Sequence, residues 1–70
     1  MGAPKPEILQ LLDEAIKKEE SLQVSGKPRT DKLAKFYKVK AGLLEFMDRL
    51  EEAKECFETS VAIYKENGLG

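Results

Sequence analysis

The chain has 70 residues, of which 41% are hydrophobic and 36% charged, and its formal net charge is −1 at pH 7. This length suits one small domain, and the charge-rich composition, poor in proline, glycine and cysteine, excludes a collagenous or disulfide framework. Because the net charge is close to zero, bulk electrostatics favours neither nucleic acid nor an acidic substrate.

Two features bear on the cellular compartment. The single cysteine, Cys56, has no partner for an internal disulfide, so we interpret it as a small buried or half-buried side chain in a reducing compartment. No apolar run approaches the roughly 18 residues of a membrane span, and no basic start with an apolar core marks a signal peptide. We therefore expect an intracellular, cytoplasmic protein.

The first predicted helix runs from about Pro6 to Leu22. Pro6 has the fixed φ that suits the first turn of a helix, and Glu7 complements the positive end of the helix dipole. Apolar residues at steps of three and four form its stripe: Ile8, Leu11, Leu12, Ala15, Ile16 and Leu22. After it, Gly26 and Pro28 predict a loop of about seven residues.

Two further helices are predicted, from Asp31 to Phe46 and from Arg49 to Glu66. Thr30 or Asp31 caps the first of them, and Asn67 with Gly68 ends the second. We expect Leu69 to fold back on that last turn. The short connection indicates an antiparallel hairpin, with Asp48 as the N-cap of its second helix.

We therefore predict an all-α, single-domain, three-helix bundle over residues 1–70, with the hairpin at about 31–66. Its predicted core follows from the apolar spacing of the three helices. The core residues are Leu11, Leu12, Ala15, Phe36, Tyr37, Ala41, Leu44, Leu50, Ala53, Phe57 and Val61.

The hairpin resembles one repeat of the tetratricopeptide (TPR) family, a helix pair of about 34 residues. The small and large positions of that family fall on Tyr37, Ala41, Leu44, Ala53, Phe57 and Ser60. Lys40 and Lys65 depart from it, because the family has leucine and proline there. Leu12 to Ala15 also echoes Leu50 to Ala53, so the first helix is a degenerate helix of a preceding repeat, a cap over the hairpin, or a chance likeness.

Charge is segregated between the hairpin helices, since the first is basic and the second acidic. Lys35, Lys38 and Gly42 share a strip beside the core face, where a partner backbone could approach the glycine. The TPR resemblance implies that the groove-lining, partner-binding positions are Lys35, Lys38, Gly42 and Glu45. Family members that hold a peptide carboxylate have asparagine at the position of Gly42, so that specificity is not carried over. The alternative is a solvated lysine face that balances the acidic residues.

Catalytic chemistry is not indicated. The chain has no histidine, nothing activates Cys56, and no glycine-rich phosphate loop is present. Glu51 and Glu55 share a helix face but lack the Glu-x-x-His element of di-metal bundles. We therefore expect no enzyme, no cofactor and no metal.

The leading hypothesis is a protein–protein interaction module that presents a helix-lined groove to a partner peptide or helix. One alternative is a three-helix domain of the microtubule-interacting-and-trafficking (MIT) type, which would bind partner helices between the first and third helices. Another is a structural bundle that self-associates. Nucleic acid is a weaker possibility, since the basic helix has no aromatic or arginine partners for it.

Overall fold

The computed structural model describes residues 6–24 and 26–68 and contains three helices. They are α1 (Pro6–Ser21), α2 (Asp31–Phe46) and α3 (Leu50–Glu66). The all-α three-helix prediction is confirmed. Helix α1 ends one residue earlier than predicted and α3 begins one residue later, which is within the usual uncertainty of helix ends. The prediction for Leu69 lies outside the described residues.

Thr30 is the N-cap of α2. Its hydroxyl oxygen accepts a hydrogen bond from the backbone N–H of Leu33 at 3.1 Å, which satisfies one of the free donors of the first turn. The same hydroxyl donates to the Glu19 carboxylate at 2.9 Å. The cap of α2 therefore also holds the end of α1.

The connection between α2 and α3 is a Schellman turn. Asp48 has a φ of 63°, and the N–H of Arg49 donates to the carbonyl of Leu44 at 2.8 Å. The prediction that Asp48 caps α3 was therefore wrong, because Asp48 is used to end α2. Arg49 takes the N-cap position without a side-chain capping bond, and its guanidinium pairs with Glu52 at 2.6 Å.

Helix α2 is central and antiparallel to both of its neighbours. The Ser60 hydroxyl donates to the Ala34 carbonyl at 2.9 Å, and the Asn67 amide donates to the Arg29 carbonyl at 2.6 Å. These bonds confirm the predicted antiparallel hairpin. No Cα atom of α1 lies within 8 Å of one in α3, so these two helices meet only through side chains. Side chains of α1 and α3 still pack together, as Ile16 and Ile63 do, so the described part of the chain is the predicted three-helix bundle with α2 at its centre.

Buried side chains form two clusters along the length of α2. Ile16 of α1 packs with residues of α2 and α3 in the first cluster, and the second joins only α2 and α3, with Leu9 of α1 half-buried against it. The first cluster consists of Ile16, Leu33, Ala34 and Ile63, and the second of Ala41, Leu44, Ala53 and Cys56. Cys56 is buried as predicted, and burial raises the pKa of its thiol.

Part of the predicted core was wrong. Ala41, Leu44 and Ala53 are buried, and Leu12, Ala15, Phe36 and Tyr37 are half-buried. Four predicted core residues are instead exposed: Leu11 by 65%, Leu50 by 59%, Phe57 by 37% and Val61 by 48%. Leu11 is exposed because α1 packs through the stripe of Leu9, Leu12 and Ile16. For the three residues of α3, the reason is a rotation of that helix, which turns inward a stripe of smaller residues that lets the helices approach closely. That stripe is Ala53, Cys56, Ser60 and Ile63.

None of the helices within residues 6–24 and 26–68 has the length and apolar character needed to cross a membrane.

Candidate interaction surface

One side of the α2–α3 hairpin is turned away from α1, and we call it the far face. On α2, Tyr37 and Lys40 mark the side that meets α1, because they bond to Glu20 and Asp13. A helix turns about 100° per residue, so the predicted partner-binding residues lie on the other side. These residues are Lys35, Lys38, Gly42 and Glu45, and all four are exposed.

Helix α3 contributes an apolar stripe to the far face. Leu50, Phe57 and Val61 are spaced seven and four residues apart, so they lie along one side of the helix, with the exposed Lys54 between Leu50 and Phe57. They point away from Cys56 and Ile63, the α3 residues whose clusters include side chains of α1. Sequence reasoning placed these three in the core, since their spacing was the only signal available and it fits either position.

The register of the hairpin sets which residues of the far face are neighbours. Ser60 bonds to Ala34, so counting back along α3 and forward along α2 places Phe57 level with Tyr37, beside Lys38. The same count places Leu50 level with Leu44, beside Glu45. The apolar stripe therefore runs beside positive charge at one end and negative charge at the other.

Gly42 leaves an open place midway along the far face. A Cβ atom built at Gly42 would meet no atom within 4 Å. Because glycine has no side chain, the backbone of α2 is uncovered there and another chain can come close to it. In the described residues this is a shallow surface, with no enclosed pocket.

The described residues do not neutralise the two lysines that α2 contributes to the far face. Ion pairs among the described residues join Arg29 to Glu66, Lys40 to Asp13, and Arg49 to Glu52. Lys35 and Lys38 take part in none of them. Their ammonium groups are therefore free to meet carboxylates of a partner, or remain solvated.

Polar side chains link α1 to the side of the hairpin that it meets. Lys40 Nζ lies 2.7 Å from Asp13 Oδ1, and the Tyr37 hydroxyl donates to the Glu20 carboxylate at 2.9 Å. Burial and this hydrogen bond raise the pKa of Tyr37 to about 12. These groups satisfy one another and join α1 to α2.

Comparisons with known proteins do not assign this chain to a family. No family model matches it, and no match was found among curated proteins or solved structures. Fold and surface together define its class: an all-α chain of three helices with an exposed, charge-bordered helix-pair face. The TPR resemblance stays a prediction.

Proposed function

We propose that the chain is a protein–protein interaction module whose far face binds an amphipathic helix of a partner protein. The observation that carries the proposal is the exposed stripe of Leu50, Phe57 and Val61 beside the unpaired Lys35 and Lys38. Exposed apolar residues that line up on one face and are bordered by charge are typical of interaction sites. The buried Cys56, without a disulfide, suits an intracellular compartment.

The spacing of the stripe sets the size of the partner. From Leu50 to Val61 a helix rises roughly 16 Å, so about three turns of a partner helix cover it. Lys35 and Lys38 lie toward the Phe57 and Val61 end, which favours acidic residues of the partner there. Glu45 lies at the Leu50 end and favours a basic residue. The charges therefore select the direction as well as the composition of the partner helix.

The TPR resemblance supports the same surface, because it implies partner contacts at Lys35, Lys38, Gly42 and Glu45. The MIT-type alternative has less support. Ile16 of α1 and Ile63 of α3 already pack together in the first cluster, so the chain itself covers these apolar side chains between the two helices.

Selection from a display library tests the proposal. The library consists of amphipathic helices of about 14 residues with a constant apolar stripe and with Glu, Lys or Gln at the flanking positions. We expect selection to enrich Glu at one end of the peptide. The enriched peptide, titrated into the labelled chain, should shift NMR signals of Lys35, Lys38, Gly42 and Phe57.

Charge reversal supplies the control. The Lys35→Glu, Lys38→Glu double variant should select Lys where the native chain selects Glu, whereas Lys17→Glu on the exposed side of α1 should leave the selection unchanged. Phe57→Asp should weaken binding at least tenfold, because it places a charge in the apolar stripe. Peptides that shift NMR signals of α1 and α3 instead would overturn the proposal. So would a charge-reversed variant that selects the same peptides as the native chain.

A further inference from the structure

A second apolar surface lies on the other side of α2, and we call it the outer face. On α2 its residues recur at steps of three and four, which is the spacing of a coiled-coil seam. They are Phe36, Val39, Leu43 and Phe46. Val39 is 56% exposed and Phe46 is 71% exposed, whereas the other two are half-buried.

Helix α1 carries a second seam of the same kind. Its residues are Ile8, Leu11 and Ala15, with Lys18 at the next seam position and Leu22 in the turn that follows the helix. Ile8, Leu11 and Leu22 are all exposed. Helix α1 packs on the hairpin through a different stripe, in which Ile16 is buried and Leu9 is half-buried.

Both seams face away from α3. On α2, the α3 side is marked by Ala34, whose carbonyl binds Ser60, and by Ala41, which packs with Ala53. Val39 and Phe46 lie about half a turn from those alanines. On α1, Asp13 marks the side toward Lys40 and Cys56, and the seam lies about half a turn from it. The two seams therefore form one continuous face.

The outer face has the size of an interface. Its five most exposed side chains, Ile8, Leu11, Leu22, Val39 and Phe46, present roughly 500 Å² of apolar surface, which is at the upper end of the largest patches on monomers. Specific interfaces bury about 800 Å² on each partner once the polar rim is included. Two such faces together reach the roughly 1,000 Å² of total buried surface that a specific interface needs.

We propose that the outer face joins two copies of this chain in a symmetric dimer. Two antiparallel helices with seams on the same side are half of a four-helix bundle, and a second copy supplies the matching half through a two-fold axis. The net charge of −1 gives the copies little mutual repulsion. The outer face shares no residue with the far face, so dimerisation and helix binding succeed or fail independently.

Lys18 provides a sharp test, because it is the charged residue in the α1 seam, whereas on α2 the same spacing extends back to Lys32. Lys18→Leu completes the α1 seam in both copies, so it should lower the dimer dissociation constant at least tenfold. Lys54→Leu is the matched control, since it makes the same change beside Phe57 on the far face. It should leave the dimer dissociation constant unchanged.

Sedimentation equilibrium over roughly 10 µM to 1 mM measures the association of each variant. We expect a dimer for the native chain and a monomer for Val39→Glu, which places a charge at an exposed seam position without disturbing the buried clusters. Circular dichroism checks that Val39→Glu remains helical. A native chain and a Lys18→Leu variant that are both monomeric at the highest concentration would overturn the proposal. So would a dimer that Val61→Glu dissociates and Val39→Glu does not.

Discussion

At the scale of single residues, Asp48 shows how one backbone conformation sets the geometry of the hairpin. In the described chain it is the non-glycine residue with positive φ, at 63°. Aspartate tolerates this region better than most residues, but glycine adopts it without steric cost. The left-handed turn directs the N–H groups of Asp48 and Arg49 back to the carbonyls of the last turn of α2. α3 can then begin at Leu50.

We expect Asp48→Gly to raise the free energy of unfolding by about 0.5 kcal/mol, because it removes the strain of positive φ and a negative charge at the end of α2. Asp48→Ala should lower the free energy of unfolding by about 1 kcal/mol, because alanine adopts the left-handed region less readily than aspartate. Urea unfolding followed by circular dichroism measures both. An alanine variant as stable as the glycine variant would contradict this explanation.

At the scale of helices, the α2–α3 contact depends on small residues and one buried hydroxyl. Ala34, Ala41 and Ala53 are almost fully buried and let the helix backbones approach. Ser60 is 2% exposed, and its hydroxyl donates to the Ala34 carbonyl across the interface. A buried hydroxyl needs such an acceptor, so this bond selects the side of α3 that faces inward.

We expect Ser60→Ala to lower the free energy of unfolding by about 1 kcal/mol, which is typical for the loss of one hydrogen bond. Thr59→Ala is the control, because the Thr59 hydroxyl donates to the Glu55 carbonyl within α3 and joins no two helices. Its effect should be below about 0.5 kcal/mol. Equal losses in the two variants, measured by urea unfolding, would show that the inter-helix bond contributes nothing.

At the scale of the whole molecule, α1 is held to the hairpin by little buried surface. Ile16 is its fully buried residue, and polar bonds complete the contact. One of them is the Tyr37–Glu20 bond, and Tyr37 itself is half-buried where α1 meets α2. The protonation of Tyr37 is therefore linked to the folding of the three-helix arrangement.

Tyr37 predicts a loss of stability at alkaline pH. Burial, followed by the hydrogen bond to Glu20, raises its pKa from 10.0 to about 12. The folded chain holds this proton more tightly than the unfolded chain, so the contribution is complete below pH 10 and is lost as the pH rises toward 12. We expect the free energy of unfolding to fall more steeply over this range for the native chain than for Tyr37→Phe.

Other groups that titrate between pH 10 and 12 contribute equally to both chains, so the difference between them isolates Tyr37. Glu20→Gln should keep part of the slope, because burial is the larger cause of the raised pKa. Identical slopes for the native chain and Tyr37→Phe would contradict the link.

The helices could be predicted from the sequence to within one residue because their signals are local. Thr30 caps α2 through a bond three residues away, and apolar spacing reports the length of each helix. The strip of Lys35, Lys38, Gly42 and Glu45 also follows from helical spacing alone. We propose that its apolar neighbours on α3 are Leu50, Phe57 and Val61. Their exposure could not be predicted, because apolar spacing assigned them to the core.

Local hydrogen bonding and apolar periodicity thus determined the number of helices, their ends and the antiparallel hairpin. Only the tertiary structure decided which side of each helix faces inward, since every helix carries two apolar stripes. On α3, the small residues Ala53 and Ser60 pack closer to α2 than Leu50 and Phe57 could. On this helix, close packing outweighs the larger hydrophobic area of the stripe that stays exposed. Both proposals depend on such exposed stripes.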